Sequence, residues 1–349
     1  MPDWLPKTDG ASVYQEFFLL LEGDDVRGAY VLKHQDATLG GETHRIGSFY
    51  LPLSEAIINP AYALVAPQLV RDAARREPLL YGLGMGGRDT PMARLLRAMR
   101  WPMQVVPFYF KVLNGSRFLR EIRYVRRGRL TAALLDLAGS SGLGALAARG
   151  ADWLLTKRRA QTGVHAEPVE TCGEWVDELW RSCAPRYAFA AVRDAATLNQ
   201  VYPQGARHVL LLRISRAGRA IGCAVVRDAQ ASGNKYFGGL RVGILVDGVG
   251  APDDAEAVVG RAARELDARG ADVLVSNQTH PAWCAALRRA GFIRGPSNVL
   301  FAASPPLSQR LQAFDPHWRG LHVTRGDGDI PWPGDRSAHA AAALAETRL

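Results

Sequence analysis

Short apolar runs and amphipathic helical stretches follow one another in the same order twice along this chain. In the first segment, two apolar runs flank the turn Gly23-Asp24-Asp25, which is typical of a β-hairpin. Asn59-Pro60 is typical of a helix N-cap followed by proline at the first helical position. We predict strands at 16–22, 26–33, 46–53, 78–84 and 103–113, and helices at 60–76 and 91–99.

The second segment repeats this order with different residues. We predict strands at 209–215, 220–227, 239–246, 271–276 and 298–303, and helices at 252–268 and 281–290. A strand–helix–strand crossover is right-handed with its strands parallel, whereas the hairpin before it is antiparallel, so each sheet is expected to be mixed. The pattern predicts an α/β fold of two mixed-sheet domains in tandem, each ordered hairpin, strand, helix, strand, helix, strand.

The length agrees with two domains. A chain of 349 residues exceeds one ordinary hydrophobic core. We place a first domain at 1–128, a helical connector at 129–160, a second domain at 161–305 and a C-terminal extension at 306–349. Within the extension, the alanine-rich stretch 338–345 is expected to be a frayed helix or a disordered tail.

Charge and cysteine content narrow the class of protein. The net charge of +9 favours anionic partners. The four cysteines lie far apart without a Cys-x-x-Cys pair, so we expect no structural metal site, no disulfide scaffold and a cytoplasmic location. The N-terminus lacks the basic start and apolar run of a signal peptide, and no apolar run approaches the ~20 residues of a membrane span.

The repeated order resembles the GNAT acyltransferase fold, and its two copies resemble a tandem GNAT arrangement over roughly 16–113 and 165–303. The stretches most similar to the family are 78–113 and 270–292, the latter with a strand, a loop containing asparagine, a helix and a closing Gly-Phe. The chain is also similar to GNAT-like proteins found with bacterial surface-polysaccharide genes. The resemblance implies that acyl-CoA, such as acetyl-CoA, lies between two diverging parallel strands, with its pyrophosphate on amides at a helix start.

The resemblance also implies a phosphate-binding turn in each copy. In the second copy this turn is Gly248-Val249-Gly250-Ala251, although Leu245 stands where the family usually has Gln or Arg. In the first copy the amides of Ile57 and Ile58 occupy the corresponding place, without a glycine. Asp253-Asp254 follows the second turn, and two carboxylates at a helix start would repel a pyrophosphate.

Four residues are candidates for catalysis. Asp247 ends a strand where related enzymes often hold a carboxylate base, and Glu55 is taken as its counterpart in the first copy. Such a base removes a proton from an amine, although Asp247 could equally cap the turn that follows it. Asn277 and His280 follow the second parallel strand, so we expect them at the same opening between the strands as Asp247. His280 is either a base or a structural residue there.

Other motifs have weaker functional interpretations. Gly82-x-Gly84-x-x-Gly87 matches a dinucleotide-binding fingerprint, but the residues between Gly87 and the predicted N-cap Thr90 favour a glycine-rich turn. Asp327-Gly-Asp329 could hold a divalent cation, or it could form a turn that Arg325 and Trp332 anchor to the rest of the protein. The turn is favoured. His280 and Cys284 have the spacing of two ligands on one helix face, but no further ligand lies nearby in the sequence.

A basic cluster follows the second strand–helix unit of the first copy. It is either a solvated face, an anion-binding face for CoA or a charged glycan precursor, or a nucleic-acid surface. No nucleic-acid-binding signature accompanies it, so nucleic acid is not favoured. The cluster consists of Arg88, Arg94, Arg97, Arg100, Lys111, Arg117, Arg120, Arg123, Arg126, Arg127 and Arg129.

We therefore predict an N-acyltransferase that moves an acyl group, with acetyl as the first choice, from acyl-CoA to an amine of a small molecule or sugar. Two alternatives stay open. One is a non-catalytic GNAT-like binding or scaffold protein, because leucine stands at 96 and 287, where the family often has a tyrosine acid. The other is aminoacyl transfer from charged tRNA, with the basic cluster binding RNA. The sequence does not indicate the oligomeric state.

Overall fold

The computed structural model describes residues 5–121, 163–206, 208–230 and 238–328. The predicted connector at 129–160 and the alanine-rich stretch 338–345 lie outside these ranges. Within the described ranges, no helix is long and apolar enough to cross a membrane.

Two β-sheets form the framework of the described chain. In chain order, their strands are β1 (Tyr14–Glu22), β2 (Asp25–Leu39), β3 (Glu42–Ser54), β4 (Leu80–Gly84), β5 (Met103–Val105), β6 (Phe108–Val112), β7 (Val164–Val169), β8 (Phe189–Ala191), β9 (Val209–Arg216), β10 (Arg219–Gln230), β11 (Arg241–Gly250), β12 (Val273–Asn277), β13 (Ile293–Gly295), β14 (Leu300–Ala303) and β15 (Leu321–His322).

Helices pack on both sheets, and most begin at a proline or a capping side chain. They are α1 (Val65–Arg76), α2 (Pro91–Ala98), α3 (Gly115–Glu121), α4 (Glu174–Cys183), α5 (Ala195–Val201), α6 (Ala255–Ala268), α7 (Pro281–Arg289) and α8 (Pro305–Phe314). The helices predicted to begin at 60 and 252 open instead with 3₁₀ turns, Pro60–Tyr62 and Pro252–Asp254, before α1 and α6.

The predicted mixed sheets are confirmed. The first sheet has the order β15-β8-β2-β3-β4-β14-β5, with β1 also paired to β2, and the second has the order β13-β6-β12-β11-β10-β9-β7. The hairpins β1–β2 and β9–β10 are antiparallel. The central pairs β3–β4 and β11–β12 are parallel. These features are those of two GNAT-like units in tandem.

The last strand of each copy is exchanged between the sheets. The prediction of one strand over 103–113 is wrong, because the chain breaks at Pro107, which has no N–H for a ladder. After the break, β6 crosses into the second sheet and pairs with β12 and β13. In return β14 leaves the second copy and pairs with β4 and β5 in the first sheet. The amide of Val106 donates to the carbonyl of Val299, 2.9 Å away, where the two crossing segments meet.

The corresponding faces of the two sheets are covered unequally. In the second sheet, α4 packs on β10 and β11 and buries Val176, Leu179 and Trp180. This helix belongs to a stretch, β7 to α5, for which the pattern of apolar residues gave no prediction. In the first sheet, α8 and the residues after it cover one end, where Leu311 and Leu321 pack in a cluster with Tyr81. At the other end of that face, Leu19 and Leu53 are exposed.

Candidate functional site: two clefts between diverging strands

Both parallel strand pairs separate partway along their length. The β3–β4 ladder contains only Gly47 opposite Leu80 and Ser48 opposite Tyr81, although β3 runs on to Ser54. The β11–β12 ladder ends at Leu245, although β11 continues to Gly250. We call the space between the separated ends of β3 and β4 the first cleft, and that between β11 and β12 the second cleft.

A β-bulge lies at the same place in each copy, next to the point of separation. In β3, the register shifts between the pairs Val31–Tyr50 and Ala29–Leu53, and Leu51 adopts a left-handed φ of 48°. A bulge bends its strand and increases the local twist, which helps the neighbouring strands to diverge.

The positions of the two bulges identify which residues of the two copies correspond. In β11 the register shifts between Leu245 and Asp247, so Asp247 is the first paired residue beyond the bulge, opposite Val225. In β3 the first paired residue beyond the bulge is Leu53. Leu53, and not Glu55, is therefore the structural counterpart of Asp247, which corrects the pairing of the two carboxylates.

The second cleft is filled by the protein's own C-terminal segment, residues 321–327. His322 Nε2 donates to the Gly248 carbonyl at 2.8 Å, and the Thr324 hydroxyl donates to Asp247 Oδ1 at 2.9 Å. Gln278, just beyond β12, forms an isolated antiparallel bridge with Thr324. The segment thus contacts both walls of the cleft.

Arg193 ties this segment to Asp247 through buried ion pairs. Its Nε donates to both oxygens of Asp247 at 3.0 and 2.9 Å, and its Nη2 donates to both oxygens of Asp327 at 2.9 Å. Burial alone would lower the pKa of Arg193, but Asp247 and Asp327 reverse this effect and raise it. Asp247 is only 4% exposed, so its contacts give it a structural role, and we do not carry it into the proposed reaction.

The glycines of the predicted second turn lie in β11, where they allow close packing. A Cβ on Gly248 would collide with the indole of Trp283. The Gly250 carbonyl accepts a hydrogen bond from the Tyr187 hydroxyl at 2.6 Å, and Tyr187 in turn accepts one from Trp283 Nε1 at 2.8 Å. The predicted phosphate-binding turn is instead a strand end: Gly248, Val249 and Gly250 lie within β11 and pair with β10, and Val249 is buried, so they form no open phosphate cradle.

The helix that follows each cleft differs in its charges. Before α6, Asp253 and Asp254 form ion pairs with Arg186 and Arg216, at 3.1 and 2.9 Å. The first turn of α1 contains no acid, and its N-cap residue Leu64 makes no side-chain capping bond. The start of α1 therefore holds no acid of its own, although its third residue, Pro67, has no amide N–H, whereas the amides before α6 already face carboxylates.

The remaining second-copy candidates are engaged in local structure. Asn277 is buried, and its side-chain amide contacts the carbonyl of Pro107 and the guanidinium of Arg325, each at 3.4 Å. His280 caps α7 by accepting from the Ala282 amide at 3.3 Å. Its ring meets that of Tyr187 edge-on, with centroids 5.0 Å apart. These contacts favour the structural interpretation of His280.

Burial, reinforced by the charge of Arg186, lowers the pKa of His280 to about 4. In the unfolded chain the His280 imidazole therefore takes up a proton near pH 6.5, whereas in the folded protein it does so only near pH 4. We expect stability to be fully present above pH 6.5 and to fall as the pH drops toward 4. Urea midpoints at pH 7 and pH 5 measure this loss. His280→Asn keeps a capping oxygen without a titrating ring, so its midpoint should fall less, and an equal fall would contradict the assignment.

Beside the first cleft, the face of the first sheet opposite α1 exposes apolar side chains. Leu19, Ala29 and Leu53 form one row across β1, β2 and β3, on the face opposite α1. Leu19 and Leu53 are 61% and 64% exposed. Further exposed apolar side chains lie on β1, on β3 and in the segment from β3 to α1: Phe17, Leu21, Leu51, Ile57, Ile58 and Leu64.

Glu55 is the carboxylate next to the first cleft. Its Oε2 accepts from Arg27 Nη1 at 3.0 Å, and its side chain is partly exposed. The carbonyl of Glu55 accepts from the amide of Ile58 at 2.9 Å, so that amide is engaged within a 3₁₀ turn. The amide of Ala56 is likewise bonded to the Ser54 hydroxyl. Because the Ile58 amide is already bonded, the start of α1 is the better candidate for contacts to an anion at this cleft.

The glycine-rich and acidic motifs form turns. Gly84, Gly86 and Gly87 all have positive φ, and Thr90 caps α2 as predicted. Thr324 and Asp327 form a capping box, so the 325–327 turn is real, while Asp329 and Trp332 lie outside the described residues. Among the described residues, no group of three His, Cys, Asp or Glu side chains could hold a metal ion.

Solved structures with the same fold include N-acyltransferases. Saccharomyces cerevisiae N-myristoyltransferase with bound myristoyl-CoA shares 10% identity, over 80% of this chain and 66% of its own, with a TM-score of 0.50. A GCN5-related N-acetyltransferase from Anabaena variabilis shares 10% identity, over 82% of this chain and 62% of its own, with a TM-score of 0.48. A probable N-acyltransferase from Enterococcus faecalis shares 8% identity, over 84% of this chain and 63% of its own, with a TM-score of 0.49.

The similarity to the N-myristoyltransferase agrees with the fold that the strand order shows. The chain has the tandem GNAT-like architecture, and it spans less than two thirds of the length of each of these three structures. No protein-family model and no curated protein matches the sequence.

Proposed function

We propose that the protein is an acyl-CoA-dependent N-acyltransferase that uses the first cleft alone. One observation carries the proposal: two clefts are built on the same plan, but within the described ranges residues 321–327 bond to both walls of the second cleft, whereas at the first sheet the Asp327 carbonyl accepts from the side chains of Lys33 and Tyr81. The fold is that of an enzyme solved with myristoyl-CoA, which supports acyl-CoA as the donor. The second copy then has a structural role, as the non-catalytic alternative requires.

The separated edge of β3 offers main-chain groups to the donor. Beyond Ser48 the strand has no ladder to β4, so amide and carbonyl groups on that edge can pair with the amides of pantetheine. The start of α1 lies beyond the same strand and lacks acidic residues, so it suits the pyrophosphate. In this arrangement the acyl group lies beside Leu53, on the open apolar face.

The reaction needs no covalent enzyme intermediate. The acceptor nitrogen attacks the thioester carbonyl, a C–N bond forms, and the C–S bond breaks to release CoA thiolate. The proton lost by nitrogen ends on the thiolate, directly or by way of a base. Glu55 is the carboxylate positioned for that relay, because Arg27 fixes one of its oxygens. The acceptor would be an amine of a small molecule or a sugar that approaches across the open face.

Calorimetric titration with acetyl-CoA and myristoyl-CoA tests the proposal, since the two donors share CoA and differ in chain length. We expect saturable binding of at least one of them with a stoichiometry of one, because only one cleft is available. Absence of binding by both would overturn the proposal. A stoichiometry of two would overturn the assignment of the first cleft alone.

Leu64→Asp should separate stability from donor binding. The side chain is 68% exposed, so its loss removes little packing. A carboxylate at the helix start interacts favourably with the dipole, which should raise the unfolding free energy by about 0.3–1 kcal/mol. The same charge should weaken acetyl-CoA binding severalfold by repelling the pyrophosphate. Leu64→Asn is the neutral control, and equal donor affinity in the two variants would place the pyrophosphate elsewhere.

A further inference from the structure

Large apolar side chains are exposed at one end of the first sheet, on the face opposite α1. Leu19 on β1 and Leu53 on β3 are 61% and 64% exposed, and they share one row of the sheet. Phe17 and Leu21, two residues to either side of Leu19, are each 55% exposed. We call these four side chains the apolar patch. A cluster of exposed apolar side chains marks a surface that another element contacts.

The corresponding face of the second sheet is covered by α4. Trp175 of this helix lies over Arg213 on β9, with the guanidinium carbon 5.3 Å from the ring centroid. β9 is the first strand of its hairpin, as β1 is in the first copy. The residues described before β1 contain no helix. A cover for the apolar patch must therefore come from another part of the chain or from another molecule.

The described chain ends one residue after Asp327, on the same face of the first sheet. The carbonyl of Asp327 accepts from Lys33 Nζ at 3.4 Å and from the Tyr81 hydroxyl at 2.7 Å. Lys33 lies four residues along β2 from Ala29, which pairs with Leu19. Side chains alternate along a strand, so residues 29 and 33 belong to one face, about 13 Å apart.

On the other side of Lys33 this face is already covered. Ala37 and Leu39, further along β2, are fully buried in a cluster with Leu311 of α8. The exposed apolar surface on this face therefore lies on the side of Lys33 that leads to the apolar patch.

The residues that follow Asp327 place apolar side chains within reach of the patch. Ile330 and Trp332 each precede a proline, a position that favours extended backbone. An extended segment of the polyproline type rises about 3.1 Å per residue, so the five steps from Asp327 to Trp332 span about 16 Å. This distance is sufficient to bring the indole over the row that contains Leu19 and Leu53.

We propose that the C-terminal segment, residues 329–349, docks on the apolar patch, with Trp332 packed on Leu19 and Leu53. Trp332 then covers the first sheet as Trp175 covers the second. The docking is a property of the chain beyond the proposed acyl transfer and does not depend on it. Because the proposed donor also lies beside Leu53, donor and segment exclude each other, and the docking is tested without a donor.

Paramagnetic broadening of the Trp332 indole signal tests the docking in the ¹⁵N-labelled 349-residue chain. The cross-peak that vanishes in Trp332→Phe assigns the indole. All four native cysteines are buried, so a nitroxide reagent should react with a new exposed thiol. The label on Leu21→Cys, two residues from Leu19, is expected to broaden the Trp332 peak. The same label on Ile293→Cys, a similarly exposed position in the other sheet, is expected to leave the peak sharp.

A charge on the patch should release the segment. In Leu19→Asp we expect the Trp332 peak to move to its position in a synthetic peptide of residues 329–349, because a carboxylate disfavours apolar contact. In Ile293→Asp the peak should stay where it is in the wild type. Both side chains are more than half exposed, so neither substitution is expected to unfold the protein.

Two results would rule out the docking. One is a Trp332 peak that coincides with that of the free peptide and is broadened equally by the labels at positions 21 and 293. The other is full broadening in a mixture of ¹⁵N-labelled wild-type protein with unlabelled protein that carries the nitroxide at position 21, because the segment would then lie on a second copy of the chain.

Discussion

Replacement of Arg193 by Met is expected to lower the free energy of unfolding by about 3–5 kcal/mol. The guanidinium is 2% exposed and stands between two carboxylates, those of Asp247 and Asp327. Without it, two buried negative charges face each other in a medium that solvates them poorly. The C-terminal segment that fills the second cleft should loosen first, because Asp327 is attached to it. Urea unfolding followed by circular dichroism measures the change.

Two further variants make this test specific. Arg186→Met removes an exposed ion pair with Asp253 and should cost less than about 1 kcal/mol. Adding Asp247→Asn and Asp327→Asn to Arg193→Met should restore part of the loss, because no buried charge is then left unpaired. A loss of 1 kcal/mol or less for Arg193→Met would show that the network is not a main source of stability.

Leu53→Asp is expected to raise the Kd for acetyl-CoA at least tenfold and to lower acyl transfer further, with the fold intact. Leu53 is the counterpart of Asp247, so the substitution places in the first cleft the carboxylate that the second already holds. A tenfold effect requires only about 1.4 kcal/mol of unfavourable interaction with the donor phosphates and desolvation. Because Leu53 is 64% exposed, stability should change by no more than about 0.5 kcal/mol.

Ile293→Asp is the matched control. Ile293 is 61% exposed on β13, in the other sheet, so it reports the effect of replacing an exposed aliphatic residue with a charge. Leu53→Asn separates the charge from the loss of apolar contact. Wild-type affinity in Leu53→Asp, measured by calorimetry, would mean that the donor does not lie beside β3.

The order of strands and helices could be predicted because apolar runs of strand length alternate with longer helical patterns. The parallel pairing of β3 with β4 and of β11 with β12 followed from the handedness of crossovers. The break at Pro107 had a visible signal, since proline cannot donate to a ladder. The exchange of β14 had none, because the apolar run Leu300–Ala303 fits the edge of either sheet equally well.

The content of the second cleft could not be predicted from local sequence. Arg193 lies 54 residues from Asp247 and 134 from Asp327, and an arginine between Val192 and Asp194 carries no sign of these distant partners. The capping box of Thr324 and Asp327 indicates a turn but not where the turn lies. Asp247 was therefore interpreted as a candidate base when its contacts are structural, and the importance of Leu53 appeared only through the β-bulge register.

The reciprocal exchange of β6 and β14 makes the two halves depend on each other while the chain is being synthesised. One edge of β4 pairs with β14, which leaves the ribosome almost 220 residues later. Until then that edge is an unpaired template of the kind that invites aggregation. Long-range closures of this type also slow folding. The arrangement therefore ties the maturation of the open cleft to completion of the polypeptide, so that a prematurely terminated chain cannot form the sheet that carries it.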